Sequence, residues 1–168
     1  MADDQRYFFL DMTKAGVKGG CTKAAHPDWI ELENWDFSMS QTADPNVKGG
    51  RPSKTSATGR FGFSIRHNGP QLFKLASTGQ YINTPIVFQA ERAGLQSAGA
   101  QSSSMVYLQL TFNRVVVSHR SLSGDDGQKM EHIELVFEKV AMVYKQVING
   151  KLGSAIQKSY DGKSNLVT

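Results

Sequence analysis

The chain has 168 residues, 39% of them hydrophobic and 20% charged, and carries a formal net charge of +4. That length suits one domain with a single sizeable core, and the composition is ordinary for a globular protein rather than a disordered or fibrous one. A single cysteine, Cys21, excludes an internal disulfide and any multi-cysteine metal site; no apolar run approaches the roughly 20 residues of a membrane helix, and the alternating stretches are too polar-broken for a lipid-facing band.

Met1-Ala2-Asp3-Asp4 is acidic and has no apolar stretch, so no cleaved secretory leader is expected. Tyr7 to Met12 reads as a short first strand. Gly16 to Pro27 is a glycine-rich connection that holds Cys21 in a turn, as an inert thiol. From Trp29 to Ser40 the apolar residues alternate as Ile30 and Leu32, then skip a place to Trp35, Phe37 and Met39. Thr42 to Thr58 is an extended basic loop of Pro, Gly, Ser, Thr, Lys and Arg, too long for a hairpin turn. Gly59 to His67 is the next strand, with Phe61, Phe63 and Ile65 on one face. Asn68-Gly69-Pro70 opens the one helix: Pro70 suits its first position, Leu72, Phe73, Leu75 and Ala76 form its apolar stripe, and Gly79 ends it. A strand from Ile82 to Arg92 and a Gly/Ser-rich loop to Ser103 follow.

Two long strands come next. Met105 to Ser118 runs Leu108, Leu110 and Phe112, then jumps to Val115 and Val117. Met130 to Lys145 runs Ile133, Leu135 and Phe137, then Val140, Met142 and Tyr144. Ser121 to Gly127 reads as the connector between them. Asn149-Gly150 signals a tight turn, and Ile156 to Tyr160 a last short strand. A one-residue slip sends every later side chain to the other face unless a bulge or bend absorbs it. Three strands that each bend partway are what a small closed or highly curved barrel needs. The expected architecture is therefore mainly β: one domain over residues 1–168, a small barrel of bent antiparallel strands with one short flanking α-helix.

Reactive chemistry is hard to place on this pattern. Gly49-Gly50-Arg51-Pro52-Ser53-Lys54-Thr55 superficially looks like a phosphate-binding loop, but no glycine precedes Lys54 and a strand follows instead of a helix. Asp125-Asp126 lies in a Ser-Gly-Asp-Asp-Gly run that reads first as a turn. His26, His67, His119 and His132 stand on separate segments without paired-ligand spacing. Glu131, Glu134 and Glu138 have mixed strand parity, which points to solvated or inter-subunit surface. No nucleophile, base and orienting group can be nominated together, so no enzyme activity, cofactor or metal is expected.

The charge is segregated. No acidic residue lies between Pro45 and Ala90, against Lys48, Arg51, Lys54, Arg60, Arg66 and Lys74, while carboxylates collect in 28–36 and 131–138. Such segregation favours contact between copies of the chain or attraction to an anion. A monomeric barrel that binds nucleic acid or another polyanion through the basic loop is the alternative reading. The aromatic residues fall on the core face and leave no exposed stacking platform, which disfavours it.

The order and spacing of four regions resemble the hemolysin-coregulated protein (Hcp) family of type VI secretion systems along essentially the whole chain. They are Tyr7-Phe8-Phe9-Leu10 through Val17-Lys18-Gly19-Gly20 and His26 to Trp29-Ile30-Glu31-Leu32 and Trp35 to Gln41; the helix from Pro70 to Gly79; Tyr107-Leu108-Gln109-Leu110 with Val115 to Ser118; and Ile133 to Phe137 with Tyr144-Lys145-Gln146 and a tail reaching Tyr160-Asp161. The resemblance implies a barrel that assembles into six-membered rings. These stack into a tube, made in the bacterial cytoplasm, which a contractile sheath propels outward, with sheath, spike and small effector proteins as partners. It also implies that the strand holding Asp36, Ser38 and Ser40 faces the ring lumen, which makes those residues candidate cargo contacts. The loop bearing Lys48, Arg51 and Lys54 is the candidate contact to the adjoining ring; it is more basic than is usual in that family.

Overall fold

The computed structural model describes residues 6–40, 57–66, 70–93, 105–125, 128–164 and 166–168. Among these residues are nine strands and two helical segments: β1 (Arg6–Asp11), a single 3-10 turn (Thr13–Ala15), β2 (Ile30–Glu31), β3 (Asn34–Ser40), β4 (Thr58–Arg66), α1 (Pro70–Thr78), β5 (Ile86–Arg92), β6 (Met105–Asp125), β7 (Gln128–Ile148), β8 (Lys151–Asp161) and β9 (Leu166–Val167). All pairings are antiparallel, in the order β2-β1-β5-β6-β7-β4-β3, with β8 added to β7 and β9 to β8.

The two ends of that path are consecutive in the chain. β2 pairs with β1, β3 pairs with β4, and only Leu32 and Glu33 separate them. Leu32 N–H donates to the Phe8 carbonyl and Glu33 N–H to the Ser64 carbonyl, both at 2.9 Å. β2 and β3 do not pair with each other, so the ladder stays open there. The phase slip between Leu32 and Trp35 is thus the point at which one strand changes partner and carries the chain from one end of the curved sheet to the other.

The slips in β6 and β7 are a single event. Phe112 faces Val140 and Val115 faces Phe137, in one unbroken register across the ribbon. Two successive residues on each strand, Asn113-Arg114 and Glu138-Lys139, occupy the same level, and Arg114 takes a left-handed backbone at φ 54. Partners change at this level too. β7 pairs with β4 up to Phe137 and with β8 from Lys139 onward, while β6 leaves β5 after Phe112 and bridges to Ile82 at Val115. A second slip, between Val117 and His119, is a β-bulge.

The inward rows make the core. Phe61, Phe63, Phe88, Leu110, Phe112, Ile133 and Leu135 are fully buried, with Trp35 and Phe37 packed against them. Phe61 lies 5.0 Å from Phe88 and 4.9 Å from Phe112, ring centroid to centroid, in the tilted geometry aromatic pairs prefer. Gly59 is required by this packing, because a Cβ there would lie 2.2 Å from the Phe137 ring. Helix α1 lies against β6 and buries Leu72; Gly79, at φ 57, closes it with a bond from its N–H to the Leu75 carbonyl.

Three expectations are corrected. Ser121 to Asp125 is strand, because the β6–β7 ribbon keeps pairing well beyond the core. The strand expected from Ile82 begins at Ile86, since Pro85 has no N–H to donate, and Ile82 forms only an isolated bridge. The last strand is not short: Asn149 and Gly150, at φ 50 and 74, form a two-residue hairpin turn, and β8 then pairs with β7 from Lys151 to Asp161.

At the start of the β7–β8 pairing Lys139 Nζ meets Asp161 Oδ2 at 2.7 Å. The hydrogen bond from Lys139 holds the Asp161 carboxyl below its ordinary value, helped by the N–H groups of Lys163 and Ser164 and opposed by partial desolvation. The same bond raises Lys139 above an ordinary lysine. Asp161's contribution is present above the unfolded carboxyl value of about 4 and is lost as pH falls through the lower folded value; Lys139's is present below about 10.4 and is lost as pH rises through the raised one. A carboxyl-carbon NMR titration should place the Asp161 midpoint below that of a free carboxylate, and Lys139→Ala should return it upward. An unchanged midpoint in that variant would remove the assignment.

Candidate assembly and cargo surface

β3, β4 and β7 form one wall whose outward face is polar. Trp35 and Phe37 point into the core, so Asp36, Ser38 and Ser40 alternate to the exposed side. The register brings Asp36 beside Gly62 and Glu134, Ser38 beside Arg60 and Val136, and Asn34 beside Ser64 and His132. Asp36 lies across Gly62 so closely that a Cβ on that glycine would be 2.3 Å from Asp36 Oδ1. Arg60 Nη1 stands 3.8 Å from Glu134 Oε2, and Arg66 Nε 2.6 Å from Glu33 Oε1. The wall therefore presents both signs of charge and hydroxyls with no exposed aromatic among the named positions, a surface suited to reversible polar contact. Lys48, Arg51 and Lys54 lie outside the described residues.

Two buried polar pairs escaped the sequence reading. Glu131, expected on a solvated or inter-subunit surface, is 0% exposed on the inward row of β7 and pairs with Arg120 Nε. The bulge after Val117 turns Arg120 onto that row, and its guanidinium lies 5.5 Å from the Phe73 ring of α1. His26 Nε2 pairs with Glu91 Oε1 beneath the glycine-rich connection, between the rings of Phe9 and Trp29 at 4.4 and 4.6 Å. Ser64 Oγ and His132 Nδ1, cross-strand partners on the outer wall, share a hydrogen bond of 3.1 Å. Among the described residues no group of three or more His, Cys, Asp or Glu is arranged to hold a metal ion. Cys21 is half-buried between two backbone bonds, donating to the Trp29 carbonyl and accepting from Asp28 N–H.

β8 is exposed at most of its positions. One edge pairs with β7, and β9 covers the other only at Tyr160 and Asp161, with Thr168 bonding Ser159 beside it. Among the described residues no strand pairs with that outer edge from Lys151 to Lys158. Ile156 is 59% exposed, and Ile148, Leu166 and Val167 are exposed with it. An unpaired edge with apolar side chains is a ready template for another chain.

The chain as a whole is similar to known proteins. A family profile described as "Type VI secretion system effector, Hcp" matches residues 9–144. The crystal structure of Hcp1 from Salmonella typhimurium is similar at 26% identity and a TM-score of 0.73, over 97% of this chain and 99% of that one. Hcp2 from the same organism is similar at 25% identity and a TM-score of 0.64, over 95% and 98%. A structure described as a type six secretion system protein shares the fold at 19% identity and a TM-score of 0.75, over 99% and 100%. Among curated protein sequences no match was found. With its profile match spanning most of the chain and a similar fold over nearly all of it in a structure of that kind, this protein belongs to the Hcp family of type VI secretion system proteins.

Proposed function

We propose that this chain is the repeating subunit of a type VI secretion tube, that six copies close into a ring, and that stacked rings form a tube whose lumen holds small effector proteins. Family membership carries the reading. The open outer edge of β8 and the exposed Ile148 and Ile156 support it, since self-association is the economical way to satisfy them. In this reading the polar wall of β3, β4 and β7 faces the lumen, Asp36, Ser38 and Ser40 touch cargo, and Lys48, Arg51 and Lys54 reach carboxylates of the next ring. Assembly takes place in the bacterial cytoplasm, and sheath, spike and effectors are the further partners.

Native mass measurement of the purified chain should find a sixfold species. Reversing Lys48, Arg51 and Lys54 to Glu should shorten tubes in electron micrographs while single rings persist. Each such surface pair contributes only about 0–1 kcal/mol, so the effect depends on repetition around the ring. A strict monomer at tens of micromolar would overturn the proposal, the more so if it shifted random single-stranded DNA in a gel with steep salt dependence.

A further inference from the structure

We propose that His119 and His132 form a binding site for a divalent transition-metal ion such as zinc, on the outer face of the β6–β7 ribbon. The two lie on different strands, and the register alone brings them together. Val117 faces Leu135 on the inward row, and strict alternation would send His119 inward as well. The bulge after Val117 interrupts it, so His119 faces Glu134 on the outward row and Arg120 faces Ile133 on the inward one. His132, two residues from Glu134 on β7, then lies diagonal to His119; the two rings stand 6.5 Å apart, centroid to centroid, tilted at 56°. Zinc bound at about 2.0–2.1 Å to one nitrogen of each ring sets the centroids about 5 Å apart in tetrahedral coordination. His119 is exposed, and rotation about its side-chain bonds covers the difference.

Two details argue for a ligand rather than two ordinary surface histidines. His132 Nδ1 shares a hydrogen bond of 3.1 Å with Ser64 Oγ. With the ring proton on Nδ1 and the hydroxyl oxygen accepting it, Nε2 keeps its lone pair, the outer-shell arrangement that orients metal-binding imidazoles. His119 makes no hydrogen bond or ion pair among the described residues, so no such partner competes with a metal for its lone pair. Glu134 stands between the two histidines, but its Oε2 is directed to Arg60 Nη1, 3.8 Å away, and no third His, Cys, Asp or Glu among the described residues completes a cluster. The site therefore offers two imidazoles, and water fills the remaining positions. That donor set suits weakly held, exchangeable zinc, copper(II) or nickel(II), and not calcium or magnesium, which take oxygen ligands. This inference does not depend on tube assembly.

Zinc chloride is the probe, titrated by calorimetry into the full, tag-free chain in a buffer that does not chelate metals. Wild-type protein should bind one zinc per chain with micromolar affinity, and the ring-nitrogen NMR signals of His119 and His132 should shift together. His119→Ala and His132→Ala should each weaken binding about tenfold or more, and the double variant should abolish it. Ser64→Ala, which leaves both imidazoles in place, should weaken it about tenfold, the lower end for loss of an outer-shell partner. Glu33→Gln, elsewhere on the wall, should leave it unchanged. Equal binding by wild type and the folded double variant, a shift of one histidine without the other, or one zinc per two chains would overturn the proposal.

Discussion

Replacing Arg120 by Met is expected to destabilise the fold by about 3–5 kcal/mol, the range for removing one partner of a buried pair. Glu131 is fully buried on the inward row of β7, and the Arg120 side chain is only 16% exposed. Methionine keeps much of the apolar stem that packs toward Phe73, so the loss isolates the charge. The double variant Arg120→Met/Glu131→Met should recover most of the deficit, because a well-packed apolar pair of similar volume is often as stable as the ion pair it replaces. Chemical denaturation of the four members of this cycle checks both statements. A single variant within about 1 kcal/mol of wild type would show that the pair is not what anchors the upper ribbon beneath α1.

Gly19→Ala should be nearly as damaging, at about 2–3 kcal/mol, for a steric reason. An added Cβ would sit 2.3 Å from both Ile30 Cα and the Trp29 carbonyl oxygen, and neither is a side chain able to turn away. Gly19 N–H donates to the Asp28 carbonyl at 2.8 Å and Cys21 N–H to the Trp29 carbonyl at 3.2 Å, so relief requires the connection to peel off the strand it lies on. That movement would uncover Phe9 and the His26–Glu91 pair, and Trp29 fluorescence should report it at lower denaturant than unfolding of the barrel. Gly124→Ala is the control, since among the described residues the one neighbour its Cβ would meet is Lys129 Cγ at 4.0 Å. Indistinguishable denaturation midpoints for the two variants would remove the steric account.

The curvature was legible because it is written in side-chain parity. The slips at Leu32/Trp35, Phe112/Val115 and Phe137/Val140 each coincide with a change of strand partner. The outward placement of Asp36, Ser38 and Ser40 follows from the same alternation. The full length of β8 was not legible, because both its faces are largely exposed and Lys151 to Ala155 carries no alternation to read. The buried pairs were hidden for a different reason. His26 and Glu91 are 65 residues apart and meet only when the connection folds over β1 and β5, and Arg120 reaches Glu131 only because a bulge shifts its parity. The Ser64–His132 bond could have been anticipated only from the register between β4 and β7.

The shared kink of β6 and β7 limits how this chain can change in length. Because both strands slip at one level in a common register, adding or deleting a residue on one side alone would swap core and solvent faces for everything beyond it. Viable insertions in the ribbon must therefore come as compensated pairs, one per strand, or be confined to hairpin tips such as Asn149-Gly150. Epitope tags and fused peptides belong at that tip, and a library of single-codon insertions should be depleted from 106–117 and 133–144 and enriched at 149–150.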